Sequence, residues 1–487
     1  MTSLETKLMA KVDELQKQLA QALMIIDRLE RENTALKKRV AFLEEKLGTD
    51  SSNSSMPPSS DLPGKKKKKR KKKGKRKRGG QPGHKGKTRE LIPKEEVSEF
   101  VACPPGEQCD CGGHVQVNDD EPERHQVLDL PKIKALVTEF LIYSGVCAKC
   151  GKTHRGRLPD GTPAGMLGAR AMAAIAVLSG KYHLSKRSIE ELLEDLLGLD
   201  VSLGTICATE GRVSEVLEAP VEEAKEFVQE QAVVHADETS HKECGKKAWM
   251  WAAVTSYVSV FIIRFTRGQE AAKELLGEAF GGFLVSDRWG AYNWINTLQR
   301  QLCWAHLIRD FTKISERKGR SEEIGNSLLE YVKKMFHLWH LYVDGQMSRP
   351  ALQLRMAPIR KEIESLLEEG ETCGYAKTER TCKRILKRRE ALWTFIDVPN
   401  VEPTNNAAEQ AIRPYVLWRK ASFGTQSKRG TLFVERMMTV SSSCKQQGRN
   451  VLDFVTEAVE SHLFRQNPPS LIPTHLNSKI VRLHQTG

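Results

Sequence analysis

Four absences bound what this 487-residue chain can be. No apolar run approaches the roughly 20 residues that cross a bilayer, which excludes a helical membrane protein. The N-terminus lacks the order of a secretory leader; it is heptad-patterned and carries acids, so no signal peptide is expected. A disulfide framework is missing too. The eleven cysteines are odd in number, and six stand singly from Cys207 to Cys444, which points to a reducing, cytoplasmic setting. Acid, finally, is absent from Lys65 to Arg78, where thirteen of fourteen residues are basic.

Those thirteen are Lys65, Lys66, Lys67, Lys68, Lys69, Arg70, Lys71, Lys72, Lys73, Lys75, Arg76, Lys77 and Arg78. They account for nearly all of the formal charge of +14, so the rest of the chain is close to neutral. Such a run repels itself and gains free energy by displacing counterions from a polyanion. In a cytoplasmic protein the expected polyanion is DNA, and the bland alternative is a solvated linker.

The length calls for several folded units joined by linkers. Residues 5–47 read as a coiled coil. Val12, Leu19, Ile26, Val40 and Leu47 share one heptad position with Asn33, and Leu8, Leu15, Leu29, Leu36 and Leu43 share the other with Ala22. A stripe every 3.5 residues needs a partner helix, and β-branched residues at one seam position with Leu at the other favour a parallel dimer. After Gly48 a Ser/Pro-rich linker leads into the basic arm.

Residues 93–160 hold Cys103, Cys109, Cys111, Cys147 and Cys150. Cys147 and Cys150 have the two-residue gap with which two thiolates grip one zinc ion. The other half is irregular, and Cys111 with either Cys103 or Cys109 completes a structural zinc site. The apolar segments VLDLP and LVTEFLIYSGV between the halves suit ribbon strands. From 161 to 229 the pattern is helical, with Ser202 as a cap, and resembles a helix-turn-helix as much as a plain helical linker domain.

After Gln231 the period changes. AVVHAD, AWMWAAVTS and VSVFIIRFTR read as three strands, then GQEAAKELLGEAF as a helix, GFLVSD as a fourth strand and QLCWAH as a fifth after a short helix at AYNWI. That is the chain order of a ribonuclease-H-like α/β domain. Asp237 and Asp287 each end a strand in this reading, where an open α/β sheet presents its site. A third carboxylate comes from EPTNNAAEQAIRP, where Asn405 or Asn406 caps a helix carrying Glu409 and Arg413 on one face, ended or bent by Pro414. Three carboxylates are the ligands two magnesium ions need to attack a phosphodiester, with manganese as a substitute. Taken singly, each Asp is more simply a turn residue; together they make a site. His306, at the end of the fifth strand, and Arg413 are supporting candidates. Glu238, on the opposite strand face from Asp237, is not expected to be a ligand, and His235, on the same face, is supporting at best.

The strings HADET (His235–Thr239), SDRWGAY (Ser286–Tyr292), CWAHLIRDF (Cys303–Phe311) and NNAAEQAIRP (Asn405–Pro414), with GGQPGHKGK and the cysteine region upstream, resemble the transposases of the insertion-sequence 66 (IS 66) family. The resemblance implies an Asp-Asp-Glu triad at Asp237, Asp287 and Glu409, a helical insertion between the second Asp and the Glu, and accessory proteins encoded by the same element. The whole reading is a multidomain α+β chain. It comprises a coiled coil (1–48), a basic arm (49–92), a zinc-binding region (93–160), a helical DNA-binding region (161–229), a ribonuclease-H-like core (230–311 and 401–465) interrupted by a helical insertion (312–400), and a tail (466–487). The expected activity is that of a bacterial, nucleoid-associated DNA transposase that binds element ends and joins a 3′-hydroxyl to target DNA. Its rivals are a nuclease of the same fold and a catalytically silent DNA-binding regulator.

Overall fold

A computed structural model of the protein describes residues 90–117 and 122–474, with six helical positions near the N-terminus, Met24, Arg28, Leu29, Glu32, Asn33 and Leu36. Apart from those positions, the expected coiled coil and nearly all of the basic arm lie outside the described residues. No helix among the described residues is long and apolar enough to cross a membrane.

Between residues 122 and 160 the regular structure is a small antiparallel pair, β1 (Ser144–Val146) and β2 (Thr153–Arg155), with Gly145 opposite His154. The expected strands over VLDLP and most of LVTEFLIYSGV are irregular instead. An apolar segment becomes a strand only when a partner takes its hydrogen bonds and a core takes its side chains, and here Leu130, Leu136 and Val137 stay exposed.

The helical stretch forms as its pattern predicts: α1 (Ala169–Gly180), α2 (Lys186–Leu197), α3 (Leu203–Val216) and α4 (Glu218–Gln229). Ser202 accepts the Thr205 N–H and Ser185 the Ser188 N–H, each satisfying a donor that a helix start leaves open. These helices share one apolar core with the sheet that follows.

That sheet has five strands: β3 (Val233–Glu243), β4 (Lys246–Val254), β5 (Ser259–Arg264), β6 (Phe283–Ser286) and β7 (Arg300–Leu302), in the order β5-β4-β3-β6-β7. The first three are antiparallel; β6 and β7 run parallel to β3. The helix α5 (Gln269–Leu276) makes the crossover from β5 to β6. β3 is longer than its apolar run suggests, because Cys244 and Gly245, with φ of 48° and 75°, close a two-residue hairpin to β4. Positive φ at both turn residues matches the twist of the paired strands.

Helices cover the sheet and finish its edges. α6 (Trp304–Ser315) leads into α7 (Arg320–Val343), α8 (Arg349–Gly370), α9 (Ala376–Leu386) and the short α10 (Thr394–Asp397). These helices build a second core around Trp304, Trp393 and Phe395, which also takes in Val285 and Leu302 from the sheet. Gly325 allows α7 to start against the end of α6: a Cβ there would lie 2.3 Å from the Ser315 nitrogen. The chain then returns with α11 (Asn406–Ser422), α12 (Lys428–Gln446) and α13 (Val451–Leu463). Along the edge strand β5, the N–H groups of Ser259, Phe261 and Ile263 donate to Ser443 Oγ, Thr439 Oγ1 and Glu435 Oε1 of α12. Side chains four residues apart on one helix face thus take the place of a missing strand. At the other edge, Thr394 Oγ1 donates to the Arg300 carbonyl and the Phe395 N–H to Gln301 Oε1.

Candidate active site

β3 and β6 are paired only from Val233 to His235, so the parallel half of the sheet stops one residue before Ala236 and Asp237. Asp237 therefore lies inside a strand and not at its end, a correction to the sequence reading that follows from the β3–β4 hairpin. It still stands where the parallel pairing opens. Asp287 directly follows β6, and its Oδ1 accepts the Trp289 N–H at 2.8 Å. Glu409 sits in the first turn of α11, a position that also favours negative charge at a helix start.

Asp237 feels the other two acids. Burial pushes the Asp237 carboxyl well above its usual range, and the charges of Glu238, Asp287 and Glu409 push it in the same direction. Its Oδ1 accepts the Glu238 N–H, which opposes the shift only in part. Neither aspartate has a salt-bridge partner among the described residues. Carboxylate oxygens are in general the hard donors that a divalent cation such as magnesium takes.

His306 is in the first turn of α6 and not on a strand, because β7 ends at Leu302 and the helix starts two residues later. Burial lowers its pKa, and Arg309 adds to the effect against the pull of Asp287 and Glu409. Glu409 Oε1 lies 3.4 Å from Arg309 Nη2 and 3.6 Å from His306 Nδ1. Arg413, on the same helix face by its spacing, is exposed, and Glu409 is engaged from α6 instead. Pro414 neither ends nor bounds the helix: α11 runs on to Ser422, with Ile412 and Tyr415 buried against the sheet. Packing of that face offsets the roughly 3 kcal/mol that a helical proline costs.

Of the residues that brace the site, the sequence singled out Asn405 only as a cap, and Arg267 and Arg300 not at all. Asn405 takes the N-cap position of α11 but makes no side-chain cap. Its Nδ2 instead donates to the Ala236 carbonyl, its Oδ1 meets His235 Nδ1 at 3.2 Å, and its N–H donates to Cys303 Sγ. It pins the Glu409 helix to the Asp237 strand. Arg300 is fully buried behind Asp287, bonding the Ser286 hydroxyl and the Asp287 carbonyl, and burial lowers its pKa to about 10. Arg267 stacks between Trp249 and Trp289, at 4.6 and 3.8 Å from the ring centres, and bonds Glu238 through Nε and Nη2. Tyr292 donates its hydroxyl to the other oxygen of Glu238. Glu238 is thus a buried anchor facing away from solvent, as the strand alternation implied, with burial and Asp287 raising its pKa more than Arg267 and Tyr292 lower it. The spacing of His306 and Arg309, three apart on one helix, was the available signal for the second of these; a lone Arg300 in a strand gave none.

The cysteines of the region expected to bind zinc lie in two turns. The Gly112 N–H bonds the Cys109 carbonyl and the Gly151 N–H the Cys147 carbonyl. Hydrogen bonds from Cys111 and from Cys150 lower the pKa of Cys109 and Cys147 respectively. Cys103 stands apart, its Sγ 3.9 Å from the Val101 carbonyl. Among the described residues, the one group of three or more metal-ligand atoms within 4.8 Å of one another is Cys303, His306 and Glu409. The basic run from Lys65 to Arg78 lies outside the described residues.

Comparison with known proteins bears on the same segment. The model of the family described as "Transposase IS66 family" matches residues 164–432, which contain Asp237, Asp287 and Glu409. Residues 4–90 match a second model, described as "Family of unknown function (DUF6444)". Among curated proteins, the chain is 29% identical over 406 residues to "Uncharacterized protein y4qI" of Sinorhizobium fredii (strain NBRC 101917 / NGR234), covering 75% of this chain and 72% of that one. "Uncharacterized protein y4hP" of the same organism is 24% identical over 399 residues, covering 73% and 71%.

Proposed function

The chain belongs to the IS66 family of transposases, and on that footing we propose that it is a metal-dependent DNA transposase whose Asp237, Asp287 and Glu409 form the catalytic triad. The observation that supports this most is that buried Asp237, on β3, feels the charges of Asp287, just after β6, and of Glu409, on α11, residues far apart in the chain. The sheet order β5-β4-β3-β6-β7, antiparallel then parallel, supports a ribonuclease-H-like core. Magnesium held by the triad would supply activation of the attacking oxygen and stabilisation of the leaving one.

The protein's own groups supply position. Arg300 and the Trp289 N–H fix the loop that carries Asp287, while Asn405 ties the start of the Glu409 helix to β3. Arg309 holds Glu409 from the side of α6 and balances its charge. Water is the nucleophile in cleavage and a DNA 3′-hydroxyl in joining. The basic arm binds DNA, the cysteine region holds structural zinc through Cys109, Cys111, Cys147 and Cys150, and residues 5–47 pair two protomers so that both element ends are held together.

The test incubates the full-length protein with a labelled end of its own element in magnesium, comparing the wild type with Asp287→Ala. Cleavage and joining lost in the variant, with end binding kept, support the reading. Cleavage without any joined product favours a nuclease, and end binding without cleavage in magnesium and manganese alike favours a silent regulator.

A further inference from the structure

Cys303, His306 and Glu409 converge where two helices begin. Cys303 occupies the N-cap position of α6, His306 lies one turn further on, and Glu409 is in the first turn of α11. Asn405 holds the two starts together by donating its N–H to Cys303 Sγ at 3.1 Å. One ligand atom from each of the three lies within 4.8 Å of the others.

His306 Nδ1 is shut off from solvent and has no hydrogen-bond partner among the described residues. Glu409 Oε1, at 3.6 Å, is beyond hydrogen-bond range. A buried ring nitrogen left in that state costs on the order of 1–3 kcal/mol, so it calls for a partner. Sulfur, imidazole nitrogen and carboxylate oxygen together are the donor set of a borderline ion, zinc above all, which ordinarily completes three protein ligands with a water. Magnesium prefers oxygen throughout and is not served by this set.

We propose that Cys303, His306 and Glu409 form a second metal site, selective for zinc-class ions, which shares Glu409 with the magnesium triad and turns the enzyme off when filled. The inhibitory part rests on the proposed transposase reading; the binding part does not. On binding, Cys303 gives its thiol proton to solvent as the sulfur–metal bond forms. His306 offers the Nδ1 lone pair with its proton on Nε2, and Glu409 gives up its contact with Arg309. No group changes oxidation state.

Cobalt(II), a spectroscopic stand-in for zinc, tests the site in the full-length chain. Titration of the wild type should give one more equivalent of thiolate-to-cobalt absorbance than titration of Cys303→Ser. His306→Gln, which leaves the buried thiol in place, should weaken that same equivalent by at least about tenfold. A variant with serine at Cys109, Cys111, Cys147 and Cys150 should retain it. Circular dichroism verifies that each variant is folded. In the joining assay, zinc added to magnesium should inhibit the wild type, and half-inhibition, measured against each variant's own zinc-free rate, should need about tenfold more zinc in Cys303→Ser. Cobalt spectra and stoichiometry identical in wild type, Cys303→Ser and His306→Gln would overturn the site. A cobalt equivalent that disappears while zinc inhibition persists in Cys303→Ser would overturn the switch. A protein with no joining activity removes the transposase reading and leaves the cobalt result to stand on its own.

Discussion

Replacing Arg267 by alanine strands a carboxylate in the protein interior. Glu238 is 1% exposed and Arg267 32% exposed, and the pair meets through two hydrogen bonds of 3.0 and 2.6 Å to one oxygen. With Arg267 gone, Glu238 keeps only the Tyr292 hydroxyl, at 2.9 Å. Removing one partner of a buried ion pair costs 3–5 kcal/mol in general. Water can enter where the guanidinium was partly exposed, which puts the expected loss at the lower end, about 3 kcal/mol at pH 8. Loss of the stacking on Trp249 and Trp289 adds about 0.5–1 kcal/mol. The sign with pH follows from the direction of the shift. The Glu238 pKa is raised in the folded protein, so the folded state holds its proton where the unfolded state has lost it, and stability falls as pH rises through that window. The penalty in Arg267→Ala should therefore be smaller at pH 5 than at pH 8. Glu238→Gln in the Arg267→Ala background removes the stranded charge and should recover most of the loss. Urea unfolding followed by hydrogen exchange in β3 measures all three. An Arg267→Ala penalty below about 1 kcal/mol at pH 8, or a double variant no more stable than the single, would refute the argument.

Further outcomes follow from the same packing. His241 is 1% exposed, bonded to Tyr415 and Thr425, with its pKa lowered by burial to about 4 from an ordinary 6.5. Its unfolded form takes a proton first, so stability is full above pH 6.5 and falls by up to about 3 kcal/mol as pH drops toward 4; His241→Gln should flatten that part of a stability–pH curve. Gly325→Ala drives a methyl group into the backbone of Ser315, and thermal melting should show a loss of roughly 1–3 kcal/mol with separation of α7 from α6. Asn405→Ala leaves the Ala236 carbonyl and His235 without their partner, at a cost of about 1–3 kcal/mol, and should lower the joining rate more than it weakens DNA binding.

The order of elements from Val233 to Leu302 was readable because apolar alternation, a crossover helix and renewed alternation leave little freedom in how a sheet forms. Each of the three acids stands beside a strong periodic segment, which is what singles it out in the sequence. The length of β3 was not readable. It depends on Cys244 taking positive φ, which no apolar pattern encodes. The role of Asn405 was half legible: its position at a helix start could be read, but its choice of β3 over its own helix depends on contacts 169 and 170 residues away. That the helix runs on past Pro414 was not legible, because tertiary packing prevails there over a local rule. Arg267, Arg300 and Arg309 are ordinary charges in the sequence, and only the fold shows that two carboxylates and a loop carbonyl need them.

The treatment of the sheet's two margins limits how copies of this protein can join. Every β5 N–H that would greet an incoming strand at Ser259, Phe261 and Ile263 is already committed to α12, and β7 is closed by the turn that carries Thr394 and Phe395. A second copy therefore finds no template there for extending the sheet into a shared or runaway one. The strand that carries Asp237 and the one that leads to Asp287 lie inside these two covered margins, away from any contact made along the plane of the sheet.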